Sequence, residues 1–190
     1  MTLRARRFEI GPLTRADWSA VARIFEAGIA SGDATFERAA PHSWRAWSEA
    51  RLRRPRLAAR DRGGEVIGWA ALSATSARPV YRGVAEVGIY VAPGHMGKGV
   101  GRALLDALIE ASERAGIWTL QAGIFPENRA SIAVHERCGF ELVGVRRRIG
   151  QMSDGRWRDV LLFERRSRIV GHGELRTRDE DAPRGTRIGS

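Results

Sequence analysis

Only one cysteine, Cys138, occurs in the 190 residues. That excludes an intrachain disulfide framework and fits a reducing compartment. No apolar run approaches the roughly 18–20 residues of a membrane-spanning helix. The opening stretch MTLRARRFEIGPLTRAD has arginines but lacks the apolar core of a secretion signal, so a cytoplasmic chain with no membrane partner is expected. Lysine is nearly missing too: Lys98 is the only one among 32 basic residues, and the formal net charge is +10. Taken alone, that excess points to a polyanion such as nucleic acid. No KH, RRM or zinc-finger pattern accompanies it, so a nucleic-acid partner is not expected. An arginine bias also follows from a GC-rich coding sequence.

What the chain does have is enough apolar material for one packed domain, 43% of its residues. FEIGPLT, from Phe8 to Thr14, reads as a first strand. Thr14 can cap a helix with Asp17 in its first turn and Val21, Ile24, Phe25 and Ile29 on its apolar stripe. HSWRAWSEARLRR reads as a second helix with Trp44 and Trp47 on one side. RLAARDRGGEVIGWAALSA reads as a hairpin with Gly63-Gly64 as its two-residue turn. A loop, TSARPVYRG, leads to a strand ending at Val91. Beyond the next helix, which Gly116 ends, come the strand IWTLQAGIF, a short helix opened by Ser131 and stopped at Gly139, and the strands FELVGVRRRI and RWRDVLLFERR. This order predicts an α/β (α+β layered) domain with a mixed, mostly antiparallel sheet. The domain is expected to cover residues 1–166. The Arg-rich stretch 167–190 is expected to be an exposed extension without chemistry.

The chemistry concentrates in EVGIYVAPGHMGKGVGRALLDALIEA, residues 86–111. Val87, Ile89 and Val91 alternate as in a strand, and Leu104, Leu105, Leu108 and Ile109 recur as in a helix. Gly97, Gly99 and Gly101 lie between, interleaved with Lys98 and Val100. Glycines there let several main-chain N–H groups converge on one anion, with the positive end of the helix dipole behind them. The spacing excludes two common phosphate loops. A dinucleotide fingerprint needs glycine where Arg102 stands, and a Walker A loop needs Ser or Thr after Lys98.

A strand followed by x-x-G-x-G-x-G and a helix resembles the acetyl-coenzyme A loop of the GNAT acetyltransferases, with His95 or Met96 where Gln or Arg is usual. ATFE, GWAALS, YRGVAEVGIYV, GHMGKGVGRALL, PENRASIAVHERCGF and GRWRDVLLFER together resemble the phosphinothricin and methionine sulfoximine N-acetyltransferase branch of that family. The resemblance implies the GNAT fold, a twisted sheet flanked by helices. It also implies acetyl-CoA as co-substrate, no metal, a small-molecule amine acceptor and a homodimer. It assigns donor binding to Ile89, Tyr90, Val91, Gly97, Lys98, Gly99, Val100, Gly101, Arg102, Asn128 and Ser131. It assigns acceptor binding to Ser76, Ala77, Arg78, Glu86, Val87 and Gly88. There are departures: Gly88 replaces the usual Ser, Ala85 stands where Thr or Val is common, and Ser76 replaces one of two loop arginines. The acceptor is therefore left more open than the donor.

In this reading Glu86 is the general base, a partly buried carboxylate that takes the proton an attacking amine must lose. The alternative is that it only balances Arg82 or Arg78. His135 stands where many GNAT enzymes carry a tyrosine acid, and either it or Tyr90 is a candidate to protonate the leaving thiolate. Arg78 can pair with an α-carboxylate in bidentate fashion. Cys138 is expected to be packed rather than acylated, with direct transfer in a ternary complex. Another small amine or a protein N-terminus remains open as the acceptor. A non-catalytic acyl-CoA or nucleic-acid binding module is the rival, against which the catalytic candidates argue.

Overall fold

The computed structural model describes residues 8–172. The elements follow the order β1 (Phe8–Pro12), α1 (Trp18–Ala30), α2 (Trp44–Glu49), β2 (Arg56–Asp61), β3 (Val66–Ala74), β4 (Val84–Val91), α3 (Val100–Arg114), β5 (Thr119–Ile124), α4 (Arg129–Arg137), β6 (Glu141–Gln151) and β7 (Trp157–Arg166). This is the element order read from the sequence. The strands form one sheet in the order β1-β2-β3-β4-β5-β7-β6. Every neighbouring pair is antiparallel except β4 and β5. That exception follows from the chain path, since a crossover through α3 brings the next strand back in the same direction.

β3 lies near the middle of the sheet and is buried from Val66 through Leu72. Both of its faces are covered, so its sequence is a continuous apolar run rather than an alternation. Ile67, Ala70 and Leu72 join Leu104, Leu105 and Leu108 of α3 in one core, and Val66, Trp69 and Ala71 join Val21, Ile24, Phe25 and Trp47 in the other. The parity switches at Gly68, where the β2–β3 register slips between Ala59 and Arg60. A Cβ on Gly68 would sit 3.0 Å from both Leu104 Cδ1 and the Tyr90 carbonyl oxygen, so α3 packs on the bare backbone there.

Some local expectations change. The second helix spans six residues, not thirteen. Arg56 donates to the carbonyls of Ser48, Arg51 and Leu52, and Arg51 to that of Trp47, so arginines close the end of the helix. These arginines also lie over indole rings, Arg51 at 4.6 Å from the Trp47 centroid, so part of the basic excess serves internal packing. The β2–β3 turn holds three residues, not two. Asp61 N–H donates to the Glu65 carbonyl at 3.0 Å, Asp61 Oδ1 accepts from the Gly63 and Glu65 amides, and Gly64 has φ +83°. α4 starts at Arg129, because Asn128 Oδ1 caps the Ser131 amide at 3.0 Å. The extension does not begin fully exposed: Ser167 is buried and donates from its hydroxyl to Glu113, and Arg166 donates to the carbonyls of Trp118, Val170 and Gly171. Residues 173–190 lie outside the described residues.

Candidate functional site

The glycine loop is shaped by backbone sign rather than by crowding. Gly97 and Gly99 have φ of +70° and +84°, and a Cβ on either would meet nothing within 4 Å. The left-handed conformation is therefore the reason for glycine at both. Gly99 is the N-cap of α3 and makes no side-chain cap. The first bond closing the helix runs from the Ala103 amide to the Gly99 carbonyl, at 3.1 Å. The amides of Val100, Gly101 and Arg102 precede it and have no intrahelical acceptor, so they form a positive helix end open to an anion. Val100 itself is buried and offers only its backbone. Lys98 Nζ folds back onto the Gly94 carbonyl at 2.7 Å, tying the loop to itself. Arg102 pairs loosely with Asp106, at 3.6 Å.

The second component is a split in the sheet that sequence reading missed. β4 and β5 pair only at Val84–Thr119, Ala85–Leu120 and Glu86–Gln121. Beyond Glu86, β4 keeps its bonds to β3 through Val91 and has no strand partner on its other edge among the described residues. The strands diverge there into a cleft of about 80 Å³. Its walls are Val87–Tyr90 of β4 and Ala122–Phe125 at the end of β5, and Asp33, Ala34, Asn128, Ser131 and His135 complete it. An unpaired strand edge offers N–H and C=O groups to an extended ligand. Ile89 and Val91 turn their side chains into the α3 core, which leaves their main chain to do this. Tyr90 turns the other way, stacked on Trp69 at 4.7 Å, and burial pushes its phenol up to about 12. A larger depression of about 530 Å³ lies between Trp18 and α2, and it contains none of the predicted site residues.

Asn128 sits in the cleft with its side chain already engaged. Oδ1 caps α4, and Nδ2 donates to the Asp33 carbonyl at 3.0 Å. His135 is buried, and its Nδ1 lies 2.9 Å from the Ser131 carbonyl oxygen. A carbonyl only accepts, so Nδ1 carries the proton, and Nε2 is left with a lone pair and no partner. Burial also lowers the His135 pKa below the usual imidazole value, only partly opposed by the Ser131 bond. The neutral ring in this tautomer accepts a hydrogen bond at Nε2; it does not hold the proton expected for a general acid.

Glu86 is exposed, not partly buried as the sequence suggested. Its Oε1 lies 3.7 Å from where a Cβ on Gly123 would stand, so the bare Gly123 leaves room beside the carboxylate. It makes no ion pair among the described residues. Arg78 lies over the Tyr81 ring and Arg82 over Trp118, so the alternative that Glu86 balances one of them has no geometric support. Val87 and Gly88 line the cleft, whereas Ser76, Ala77 and Arg78 belong to the loop after β3 and are not among its lining residues. Cys138 is also outside the cleft lining. Its Sγ donates to Asp106 at 3.2 Å, and burial pushes the thiol up to about 12, the opposite of an activated nucleophile.

Known proteins resemble this chain in sequence and in fold. Residues 19–140 match the model of the Acetyltransferase (GNAT) family. The chain is 40% identical to an L-methionine sulfoximine/L-methionine sulfone acetyltransferase of Pseudomonas paraeruginosa over 63% of this chain and 70% of that protein. It is 35% identical to a phosphinothricin N-acetyltransferase of Alcaligenes faecalis, over 78% of this chain and 77% of that protein. A crystal structure of a phosphinothricin acetyltransferase from Sinorhizobium meliloti in complex with AcCoA superposes with a TM-score of 0.78 at 30% identity, covering 93% of this chain and 96% of that one.

Proposed function

The chain belongs to the GNAT family of acetyl-CoA-dependent N-acetyltransferases, and from that premise we propose that its acceptor is the α-amino group of a small amino acid or analogue. Methionine sulfoximine, methionine sulfone and phosphinothricin are the candidates, on the strength of relatives named for them. The observation that carries the site assignment is the split between β4 and β5 running toward the open amides of α3. Glu86 and Val91 are five residues apart, about 17 Å at roughly 3.3 Å per residue. That is comparable to an extended pantetheine arm, so the diphosphate would sit on α3 and the thioester near Glu86.

In this reading the free N–H and C=O groups of Val87–Val91 bind the arm, and one N–H faces the thioester oxygen as charge develops on it. Glu86 takes a proton from the ammonium, directly or through water. The amine lone pair then attacks the thioester carbon. A C–N bond forms, the C–S bond breaks, the nitrogen gives up its second proton, and the thiolate is protonated. His135 Nε2 accepts a hydrogen bond from the ligand within the cleft. A second reading makes His135 the base, favoured by its unpartnered lone pair. The acid limb of the rate profile in Glu86→Gln and His135→Asn separates the two.

A homodimer is supported by β6, whose outer edge has no strand partner among the described residues, and by Leu142, Val143, Val145, Ile149 and Trp157, all about half exposed or more on the β6–β7 hairpin. Cytoplasmic residence rests on the single cysteine. Among the described residues, no helix is long and apolar enough to cross a membrane. The catalytic domain is taken to end near Arg166, with the rest an extension. The test is thiol release from acetyl-CoA with each of the three candidates, a panel of other amines and an N-terminal peptide. Turnover confined to the peptide, or to amines lacking a carboxylate, would overturn the acceptor assignment.

A further inference from the structure

The segment between α1 and α2, residues 31–43, contains neither helix nor strand, yet Asp33 and Ala34 form part of the cleft wall. It is held by contacts from distant parts of the chain. Asn128 Nδ2 reaches the Asp33 carbonyl. Phe36 packs edge-on against Phe125 at 4.8 Å, over Gly150, where a Cβ would come within 2.6 Å of its ring. A further tie is Arg158 of β7. Its side chain is 8% exposed, although its carboxylate partners Asp33 and Glu127 are 49% and 59% exposed. Nη1 donates to the Gly32 carbonyl at 2.9 Å, and Nη2 donates to Asp33 Oδ1 at 3.0 Å and Glu127 Oε2 at 2.6 Å. Its guanidinium carbon stands 4.1 Å from the centroid of Phe125, itself a cleft residue.

Arg158 therefore grips both sides of the cleft: the segment at Gly32 and Asp33, and the β5–α4 connection at Phe125 and Glu127. A planar fork with several donors is suited to bridging groups fixed on different elements. Its burial makes each bond matter, because a buried cation stripped of a partner is strongly disfavoured. Nothing in the proposed chemistry requires Arg158 to touch a substrate.

We propose that Arg158 is a positioning residue for acetyl transfer, clamping the Gly32–Phe36 strap against the β5–α4 connection so that the acceptor enters at one fixed distance from the thioester. The inference rests on the cleft being the acetyl-donor site. The bonds of Arg158 reach neither the diphosphate cradle at the far end of β4 nor the β4 main chain that takes the pantetheine arm. Loss of the clamp should therefore act on the amine and spare the donor.

The test uses the full chain with Arg158→Met, Arg158→Lys and Asp33→Asn. Methionine sulfoximine and acetyl-CoA serve as substrates, and calorimetry with acetyl-CoA as the donor readout. Arg158→Met is expected to raise the amine KM at least tenfold with acetyl-CoA affinity within threefold of wild type. Asp33→Asn should show the same split, and the Arg158→Met/Asp33→Asn double variant should be no worse than the poorer single, as for two ends of one contact. Arg158→Lys, which keeps the charge without the fork, should recover part of the loss. If Arg158→Met does not fold, Asp33→Asn decides. Wild-type amine kinetics in a folded variant, or equal loss of donor and acceptor, overturns the proposal even if the melting temperature falls. Failure of the functional reading is distinct, since wild type would then give no acetyl-CoA binding heat and no thiol release.

Discussion

Gly99→Ala tests the anion cradle without adding charge or bulk to the cleft. Gly99 caps α3 at φ +84°, and a Cβ there meets nothing within 4 Å. The whole effect should therefore be conformational. Holding an L-residue in the left-handed region costs about 1–2 kcal/mol. If the loop keeps its shape, that strain appears as lost stability. For a chain of this size about 1 kcal/mol moves the midpoint by about 2–4 °C, so a fall of about 2–8 °C is expected. If the loop relaxes, the amides of Val100–Arg102 turn from their common target. The same 1–2 kcal/mol then appears as roughly 5–30-fold weaker acetyl-CoA binding. Gly94→Ala is the control, because a Cβ there also meets nothing within 4 Å and its φ is not positive. Calorimetric melting and acetyl-CoA titration of both variants give the two quantities. A Gly99→Ala protein matching Gly94→Ala in both stability and affinity would refute the claim that a left-handed turn builds the cradle.

Three further outcomes are expected. Glu86→Gln should lower kcat by about 10²–10⁴-fold, the usual range for a lost general base, with acetyl-CoA affinity unchanged by calorimetry; full turnover would remove Glu86 from the role. His135 is protonated less readily folded than unfolded, so the unfolded chain binds the extra proton as pH drops through its ordinary value of about 6.5. Native stability should thus be full above that pH and fall below it, and His135→Asn should show a smaller drop between pH 8 and pH 5.5 in urea melts. Val145→Asp with Trp157→Arg should shift sedimentation toward a monomer if the β6–β7 hairpin joins two copies; an unchanged molecular weight would place the interface elsewhere or deny it.

Periodicity carried most of the architecture into view. Leu104, Leu105, Leu108 and Ile109 are buried in α3, and all seven strands form where alternation or apolar runs announced them. The differences fell at the ends of helices and in the β2–β3 turn. The second helix stops early where side chains of Arg51 and Arg56 take its carbonyls, and α4 starts early at an Asn cap. These ends depend on which side-chain atom reaches which backbone group, and local pattern does not encode that. At the site, Glu86, Val87–Tyr90, Asn128 and His135 were named in advance, but not the bonds that two of them make. The carboxamide of Asn128 reaches the Asp33 carbonyl, and the His135 Nδ1 faces the Ser131 carbonyl.

The amino-acid order by itself determined the glycine turn, the strand before it and the helix after it, because backbone sterics and a 3.6-residue apolar period act within a few neighbouring residues. Only the tertiary structure decided that β4 and β5 part company after Glu86, and that Asp33 and Ala34 wall the resulting cleft with Arg158 bonded to Gly32 and Asp33. Strand divergence depends on how two segments about 35 residues apart are inclined by the helices packed on them, and a clamp linking Asp33 to Arg158 spans 125 positions. Contacts of that range are set by the packed core and leave no local signature.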